Sequence, residues 1–215
     1  MLLDPHCPLC GWADCPLFSC DARRDYLRCR QCLLVFVPAQ YRLSRELERE
    51  EYDKHENAVD DPGYRQFLGR LFDPLVQRLP AGARGLEFGC GPGPALAHML
   101  MESGFEVTLY DIFYHPDNSV MTGMYDFISA TEVVEHLHKP GAELDRLWNI
   151  LRPGGVLGVM TKLVIDEHAF AKWHYKNDPT HVCFFSRETW QWWARQHDAD
   201  LAFEGADVIL LGKSG

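Results

Sequence analysis

Basic residues are scarce in this chain: 21 lysines and arginines face 31 aspartates and glutamates, a formal net charge of −10. That balance argues against wholesale binding to nucleic-acid phosphates or anionic lipid and leaves room only for a local basic patch. Long apolar runs are also missing. No stretch approaches the ~20 residues that span a bilayer. The opening MLLDPHCPLC is too short and too soon interrupted to read as a secretory signal. Without such a signal, the eight cysteines point to metal binding in a reducing compartment rather than to disulfides, and the expected location is cytoplasmic. A G-x-G-x-x-G dinucleotide fingerprint is absent too. What remains is 215 residues with 47% hydrophobic and 24% charged content, enough for one ordinary α/β domain and a small extra module.

The chain is organised around Leu86–Pro94, LEFGCGPGP. Gly85–Phe88 reads as a short buried strand, Gly89, Gly91 and Gly93 as a turn, and Pro94 onward as a helix with apolar positions at Leu96, Met99 and Leu100. Gly104 suits the residue just past its end. A second strand, Phe105–Tyr110, ends in Asp111. Strand, glycine turn, helix, strand and acid is the plan of a nucleotide-binding unit. Its turn lets backbone approach a ligand, its helix start offers free N–H groups, and its acid can take ribose hydroxyls.

The G-x-G-x-G spacing preceded by Glu87 resembles motif I of the class I S-adenosylmethionine (SAM) methyltransferases, of the type 23 and type 11 kind. The resemblance implies that Glu87 lies near the aminoacyl end of SAM and that Gly89, Cys90, Gly91 and Gly93 lie against its methionine and ribose. Asp111 would bind the ribose. Tyr125–Leu137 is similar to the family's fourth strand, with Thr131 and Glu132 at its carboxyl end. Leu151–Thr161 matches its LRPGG turn and fifth strand, and the last two strands fall at Ala202–Glu204 and Val208–Gly212. The implied fold is a Rossmann-like, mostly parallel sheet with an antiparallel last strand. One departure stands out. Only about fifteen residues, IFYHPDNSVMTGMYD, separate Asp111 from the next strand, too few for the usual helix and third strand. The third strand is therefore expected to be missing, with Ile112, Phe113 or Tyr114 as adenine walls or as ordinary core aromatics.

Residues 1–37 carry Cys7-Pro-Leu-Cys10 and Cys29-Arg-Gln-Cys32 with eighteen residues between the pairs. Two tight turns at that spacing can present four thiolates tetrahedrally to Zn²⁺, a structural ribbon with no open coordination position. Cys15, Cys20 or His6 could replace a ligand, and free thiols remain the bland alternative. Residues 38–80 form a helical linker. Ser44–Asn57 reads as a solvated charged helix, and Tyr64–Leu79 as an amphipathic helix, with Pro74 inside it. In many class I methyltransferases such a helix covers the cofactor. The SAM-binding domain would occupy residues 81–215.

Candidates for chemistry cluster after the fourth strand. Glu132, Glu135 and His136 stand at i, i+3 and i+4, which would put them on one helix face. His174, Tyr175 and His181 lie in KWHYKNDPTHVCFFS, after the fifth strand. This E-x-x-E-H stretch with a later histidine is similar to the polyprenyl-catechol O-methyltransferases and the small-RNA 3′-end 2′-O-methyltransferases. In the latter group these positions hold a divalent metal. A second divalent ion at Glu132, Glu135, His136 and His181 would be Mn²⁺, Co²⁺ or Zn²⁺ rather than Mg²⁺. The other reading makes His136 or His181 a general base, or leaves them structural. Trp173 is the better tryptophan for substrate contact; Trp190, Trp192 and Trp193 read as packing. The ribbon layout also resembles sugar C-methyltransferases and one class of rRNA guanine methyltransferases. The expected function is methyl transfer from SAM to a small-molecule acceptor. The alternatives are an RNA methyltransferase reading RNA through a basic cluster at Arg23, Arg24, Arg28 and Arg30, or a non-catalytic SAM-binding module. No DNA or membrane partner is expected.

Overall fold

The protein was analysed as a computed structural model, which describes residues 6–54 and 58–215. The first five residues and the His55–Asn57 end of the charged segment lie outside the described residues. The chain opens with strands β1 (Leu17–Cys20), β2 (Asp25–Arg28) and β3 (Val35–Phe36). Helices α1 (Arg45–Tyr52) and α2 (Pro62–Val76) follow, then β4 (Arg84–Phe88), α3 (Ala95–Glu102), β5 (Glu106–Tyr110) and β6 (Tyr125–Thr131). The remainder is α4 (Pro140–Ile150), β7 (Leu151–Met160), α5 (Glu167–Ala171), β8 (Cys183–Phe184), α6 (Arg187–Gln196), β9 (Asp200–Glu204) and β10 (Val208–Gly212).

The main sheet has the order β5-β4-β6-β7-β10-β9. β5, β4, β6 and β7 run parallel, and β10 is antiparallel to both β7 and β9. This is the expected mostly parallel sheet with an antiparallel last strand, and β5 is its edge: no strand lies beyond it among the described residues. The chain crosses from β5 to β6 through an Asp111–His115 bridge and a 3₁₀ turn, Asn118–Thr122, whose Met121 is buried. A connection this short cannot hold both a helix and a strand.

Helix ends are set by local chemistry. Asp61 caps α2 through Tyr64 N, with Pro62 in its first turn; Ser186 and Thr189 form a capping box on α6. α3 closes with paired bonds from Gly104 N to Met101 O and Phe105 N to Leu100 O, the Schellman pattern. Leu68, Leu71 and Leu75 of α2 and Leu96 and Leu100 of α3 bury against Phe127, Met160 and Leu210 on one sheet face. On the other, Leu144, Leu147 and Trp148 of α4 and Trp190 and Trp193 of α6 pack with Leu86, Ile128 and Leu157. These two tryptophans are core, as their spacing suggested.

The cysteine-rich segment is not an appendage. β3 pairs with β8, so the N-terminal hairpin and a strand from after β7 share a second sheet, β1-β2-β3-β8. Its apolar side chains Tyr26, Leu34 and Phe36 belong to the same buried cluster as α4 and α6.

Candidate active site

The carboxyl ends of β4, β5 and β6 open into one large cavity of about 1100 Å³, where ligands of open α/β sheets bind. The glycine turn forms one wall. Gly89 N and Cys90 N both donate to Tyr110 O, at 2.8 and 3.2 Å, which staples the turn to the end of β5. Gly89 takes φ +73°, and a Cβ there would lie 2.5 Å from Val133 Cγ2; only glycine fits. Gly91 takes φ +63°, and a Cβ on it would meet nothing within 4 Å. Gly91 N donates to Asp111 Oδ2 at 3.0 Å, and Asp111 Oδ1 accepts from Phe113 N and Tyr114 N at 2.8 and 3.1 Å. Asp111 thus braces the turn against the next loop.

Gly89, Cys90, Gly91, Asp111, Ile112, Thr131 and Glu132 all line the cavity, with Phe113 and Tyr114. Glu87 and Gly93 do not. The buried Glu87 carboxylate instead accepts from Ala97 N at 2.9 Å. Pro94, the residue before α3, has no side-chain cap bond, so a carboxylate from β4 takes an N-terminal donor that the helix itself leaves unpaired. Burial pushes its pKa up to about 8. Burial also pushes the Cys90 thiol up, with Glu87 and Asp111 adding to the effect.

The far end of the cavity is built from residues distant in sequence. Past β6, Glu132 takes left-handed backbone (φ +52°), and a 3₁₀ turn, Val134–His136, follows. The expected shared helix face is therefore not there; the side chains meet through Tyr175 instead. The Tyr175 hydroxyl lies 3.2 Å from Glu132 Oε2 and hydrogen-bonds Glu135 Oε1 more closely. One hydroxyl proton serves one carboxylate, so the second contact needs a proton from a carboxyl group. Burial, then the charge of Glu132, raises the pKa of Glu135 to about 8. Burial likewise raises Glu132, which faces the cavity. Glu135 lies behind the cavity wall, wholly buried.

His181 Nδ1 sits 2.7 Å from Tyr175 O. A carbonyl only accepts, so Nδ1 carries the proton and Nε2 keeps its lone pair. Burial lowers the pKa of this ring despite nearby Asp178. The His136 ring meets His181 edge-on at 4.6 Å and Tyr52 at 5.3 Å. Donor atoms of Glu135, His136 and His181 all lie within 4.8 Å of one another; Glu132 is outside that group. α1 is more than a solvated helix. Its Tyr52, Glu48 and Arg45 line the cavity, Glu48 pairs with His138 at 2.7 Å, and Asp53 just beyond accepts from the Tyr114 hydroxyl at 2.6 Å. Trp173 lines a smaller neighbouring cavity with Lys162 and Arg187, leaning on Tyr175 at 5.0 Å. Sequence reasoning missed Tyr52 and Lys162; a lone aromatic closing a charged helix was the one available hint for Tyr52.

Cys7, Cys10, Cys29 and Cys32 converge, with sulfurs within 4.8 Å of one another and the Cys7–Cys32 and Cys10–Cys29 pairs at 3.4 Å. Tetrahedral Zn–S bonds of ~2.3 Å put sulfurs ~3.8 Å apart, so the group fits a metal ion. The two knuckles match in backbone: Gly11 and Leu33, each following the second cysteine of its pair, both have positive φ. Cys15 stays outside, bonded to Trp12 O at 3.4 Å, while Cys20 and His6 are exposed. In the arginine cluster, Arg24 is buried, Arg23 bonds Asn177, Arg30 pairs with Asp14, and Arg28 lies over Phe18.

The sequence profile of the family described as "Methyltransferase domain" matches residues 62–202. No curated protein sequence matches the chain. Among solved structures, one similar chain is the 1,6-didemethyltoxoflavin-N1-methyltransferase of Burkholderia thailandensis, with bound 1,6-didemethyltoxoflavin and S-adenosylhomocysteine. It is 16% identical, with a TM-score of 0.51 over 92% of this chain and 98% of that one. Another is the magnesium protoporphyrin IX methyltransferase of Synechocystis PCC 6803 with bound SAM, 15% identical, TM-score 0.53, covering 80% and 92%. A protein of Pyrococcus horikoshii OT3 is 14% identical, TM-score 0.52, covering 77% and 99%. At these identities the likeness is one of fold.

Proposed function

The chain belongs to the methyltransferase-domain family and is a SAM-dependent methyltransferase, and from that premise we propose that it methylates a small-molecule acceptor bound beside Glu132, His136 and His181. One observation carries the reading. A single cavity of about 1100 Å³ runs from the glycine turn to these side chains. That volume lies just above the roughly 300–1,000 Å³ of ordinary ligand pockets, and the lining continues past the glycine turn and Asp111 to Lys162, Tyr175 and His181, which leaves a second compartment beside the cofactor's.

The residues present fit SAM. Thr131 Oγ1 and Glu132 Oε1 are buried oxygens without a hydrogen-bond partner at the cavity wall, positions a cationic amino acid end would satisfy. Gly89, Cys90 and Gly91 would hold the methionine and ribose, Asp111 the ribose hydroxyls, and Ile112, Phe113 and Tyr114 the adenine. When bound, SAM supplies a methyl carbon made electrophilic by its sulfonium. The chain's own part is to align the acceptor, keep water out and take the acceptor's proton. His181 suits that last task. Its Nδ1–H is fixed on Tyr175 O, its Nε2 lies 3.8 Å from Asp178 Oδ2, beyond hydrogen-bond distance, and burial lowers the pKa of the ring, which favours the neutral form. Glu87 serves the cofactor indirectly, by holding the start of α3.

The second reading is a divalent cation on Glu135, His136 and His181, favoured by their mutual distances and by the unpartnered Glu135 Oε2. It would lower the acceptor's pKa and replace the base. Zn²⁺ on the four N-terminal cysteines is a separate, structural ion. RNA reading by the ribbon has less support, since Arg24 is buried. The test is calorimetric titration with S-adenosylhomocysteine, then transfer of labelled methyl from SAM to pooled small molecules, before and after chelation. Binding with transfer to a small molecule is expected. Salt-sensitive RNA retention with RNA methylation, or binding without any transfer, would overturn it. Loss of transfer on chelation, restored by Mn²⁺ or Co²⁺ with the cysteine site still loaded, would favour the second reading.

A further inference from the structure

The segment His174–His181 brings Tyr175 and His181 to the acceptor end of the cavity. Within it Thr180 N and Oγ1 donate to Asp178 Oδ1, His181 N to Asp178 O and His181 Nδ1 to Tyr175 O, and three of its backbone carbonyls also accept from one side chain of the cysteine-rich hairpin. Arg24, 6% exposed, donates from Nη2 to Lys176 O at 2.5 Å and to Asp178 O at 2.8 Å, and from Nη1 to Pro179 O at 3.2 Å. Its Nε donates to the Tyr26 hydroxyl at 3.1 Å, which in turn donates to Asp21 Oδ2 at 2.9 Å. The same Asp21 oxygen accepts from the buried Lys176 ammonium at 2.6 Å. Arg23 adds bonds to Asn177 O and Oδ1 at 3.0 and 2.7 Å.

The guanidinium donors to the segment's backbone, Arg23 and Arg24, come from the turn between β1 and β2, while Tyr26 of β2 and Lys176 of the segment itself donate to Asp21 of that turn. The turn itself is closed locally, by Asp21 N on Arg24 O and by Arg23 N and Arg24 N on Asp21 Oδ1; the cysteines hold the other end of the same hairpin, since Cys29 directly follows β2 and Cys32 lies between β2 and β3. A guanidinium bound to three carbonyls in fixed directions is a geometric constraint that lysine cannot reproduce. We propose that the cysteine ribbon is the positioning device of the acceptor site, and that Arg24 is the positioning residue through which it sets Tyr175 and His181. The proposal rests on the reading of that end of the cavity as the acceptor site. Among the described residues the glycine-turn half has no such tie to the hairpin: the hydrogen bonds of β4, α3 and β5 go to the main sheet, its helices and the loop after β5. The ribbon's metal would then matter to methyl transfer through structure rather than chemistry, and the two halves of the site would respond separately to its loss.

Three forms of the full chain test this: wild type, Arg24→Lys, and wild type stripped of metal by a chelator. Three readouts are taken on each. Titration with S-adenosylhomocysteine reports the cofactor half, amide hydrogen exchange reports residues 174–184, and ¹⁵N spectra of the histidine rings report the His181 tautomer. The expected result is an unchanged affinity within about threefold, at least tenfold faster exchange at 174–184, and loss of the fixed Nδ1–H signal of His181. Protection at 174–184 equal to wild type in both altered forms would overturn the proposal. So would loss of α3 protection and cofactor affinity in step with the segment, because that is global loosening. Should Arg24→Lys fail to fold, the stripped wild type and Arg23→Ala, which removes only the exposed pair of bonds, read the same exchange. Failure of wild type to bind S-adenosylhomocysteine would sink the function above, and leaves the exchange result to judge the clamp.

Discussion

Gly89 and Gly91 sit two residues apart in the same turn, with similar positive φ, yet alanine should act on them in different ways. At Gly89 the new Cβ would lie 2.5 and 2.8 Å from the two Val133 methyl carbons. Left-handed backbone costs an L-residue ~1–2 kcal/mol, and forcing a methyl into packed surroundings adds ~1–3 kcal/mol. At Gly91 only the backbone cost applies, since nothing lies within 4 Å. For a chain of this size each kcal/mol shifts Tm by roughly 2–4 °C. Gly89→Ala should therefore melt roughly 4–20 °C below wild type, and Gly91→Ala roughly 2–8 °C below. The gap belongs to Val133. Adding Val133→Ala removes both methyls and leaves Val133 Cβ 3.2 Å away, so the double variant should lose less than the sum of the singles. Binding should rank the other way. Gly91 lines the cavity and a Cβ there meets no protein atom within 4 Å, so its methyl would take space from the cofactor, and S-adenosylhomocysteine should bind Gly91→Ala at least tenfold more weakly, about 1.4 kcal/mol. Thermal melts and calorimetry on the four proteins decide it. Equal melting of the two single variants, or strict additivity with Val133→Ala, would refute the packing argument; unchanged affinity in Gly91→Ala would refute the placement of the cofactor.

Glu87 gives a pH signature. Burial lifts its pKa from 4.5 to about 8, so between those values the folded chain holds a proton that the unfolded chain has released, and stability falls as pH rises. Glu87→Gln removes that share, and its Tm should decline less than that of wild type from pH 5 to 8; parallel profiles would count against it. Metal analysis of the purified protein should find zinc, lost in Cys32→Ser and kept in Cys15→Ser; loss in both would put Cys15 among the ligands. Once an acceptor is known, His181→Asn should lower kcat by about 10²–10⁴ with S-adenosylhomocysteine affinity within twofold; an unchanged kcat would remove His181 as the base.

How much of this could be read in advance divides by range along the chain. While the mostly parallel sheet was expected from the resemblance of the motifs to a known family, the glycine turn, the helix caps and the spacing of the cysteine pairs are local physics. Each rests on φ preferences, nearby donors or apolar periodicity within a few residues, and the short Asp111–Tyr125 link excluded a third strand by length alone. Motif I also drew attention to Glu87, but not to its direction: whether a strand residue faces a ligand or a neighbouring helix depends on how α3 packs, and its carboxylate faces Ala97. The candidate residues Glu132, Glu135, His136 and His181 were legible as chemistry but not as geometry, because a 3₁₀ turn replaced the expected helix and Tyr175, 40 residues from Glu135, joins the carboxyls. Arg24 meets the carbonyl of a residue 152 positions away. Its sequence context, a basic loop, suggested solvent or RNA. The amino-acid sequence by itself determined the glycine turn, the helix ends and the two cysteine pairs, since each is specified by neighbours in the chain. The tertiary structure alone decided what surrounds Glu132, Glu135 and His136, because Tyr52, Tyr175 and His181 reach that end of the cavity, and Arg24 the His174–His181 segment, by packing between segments that the sequence keeps far apart.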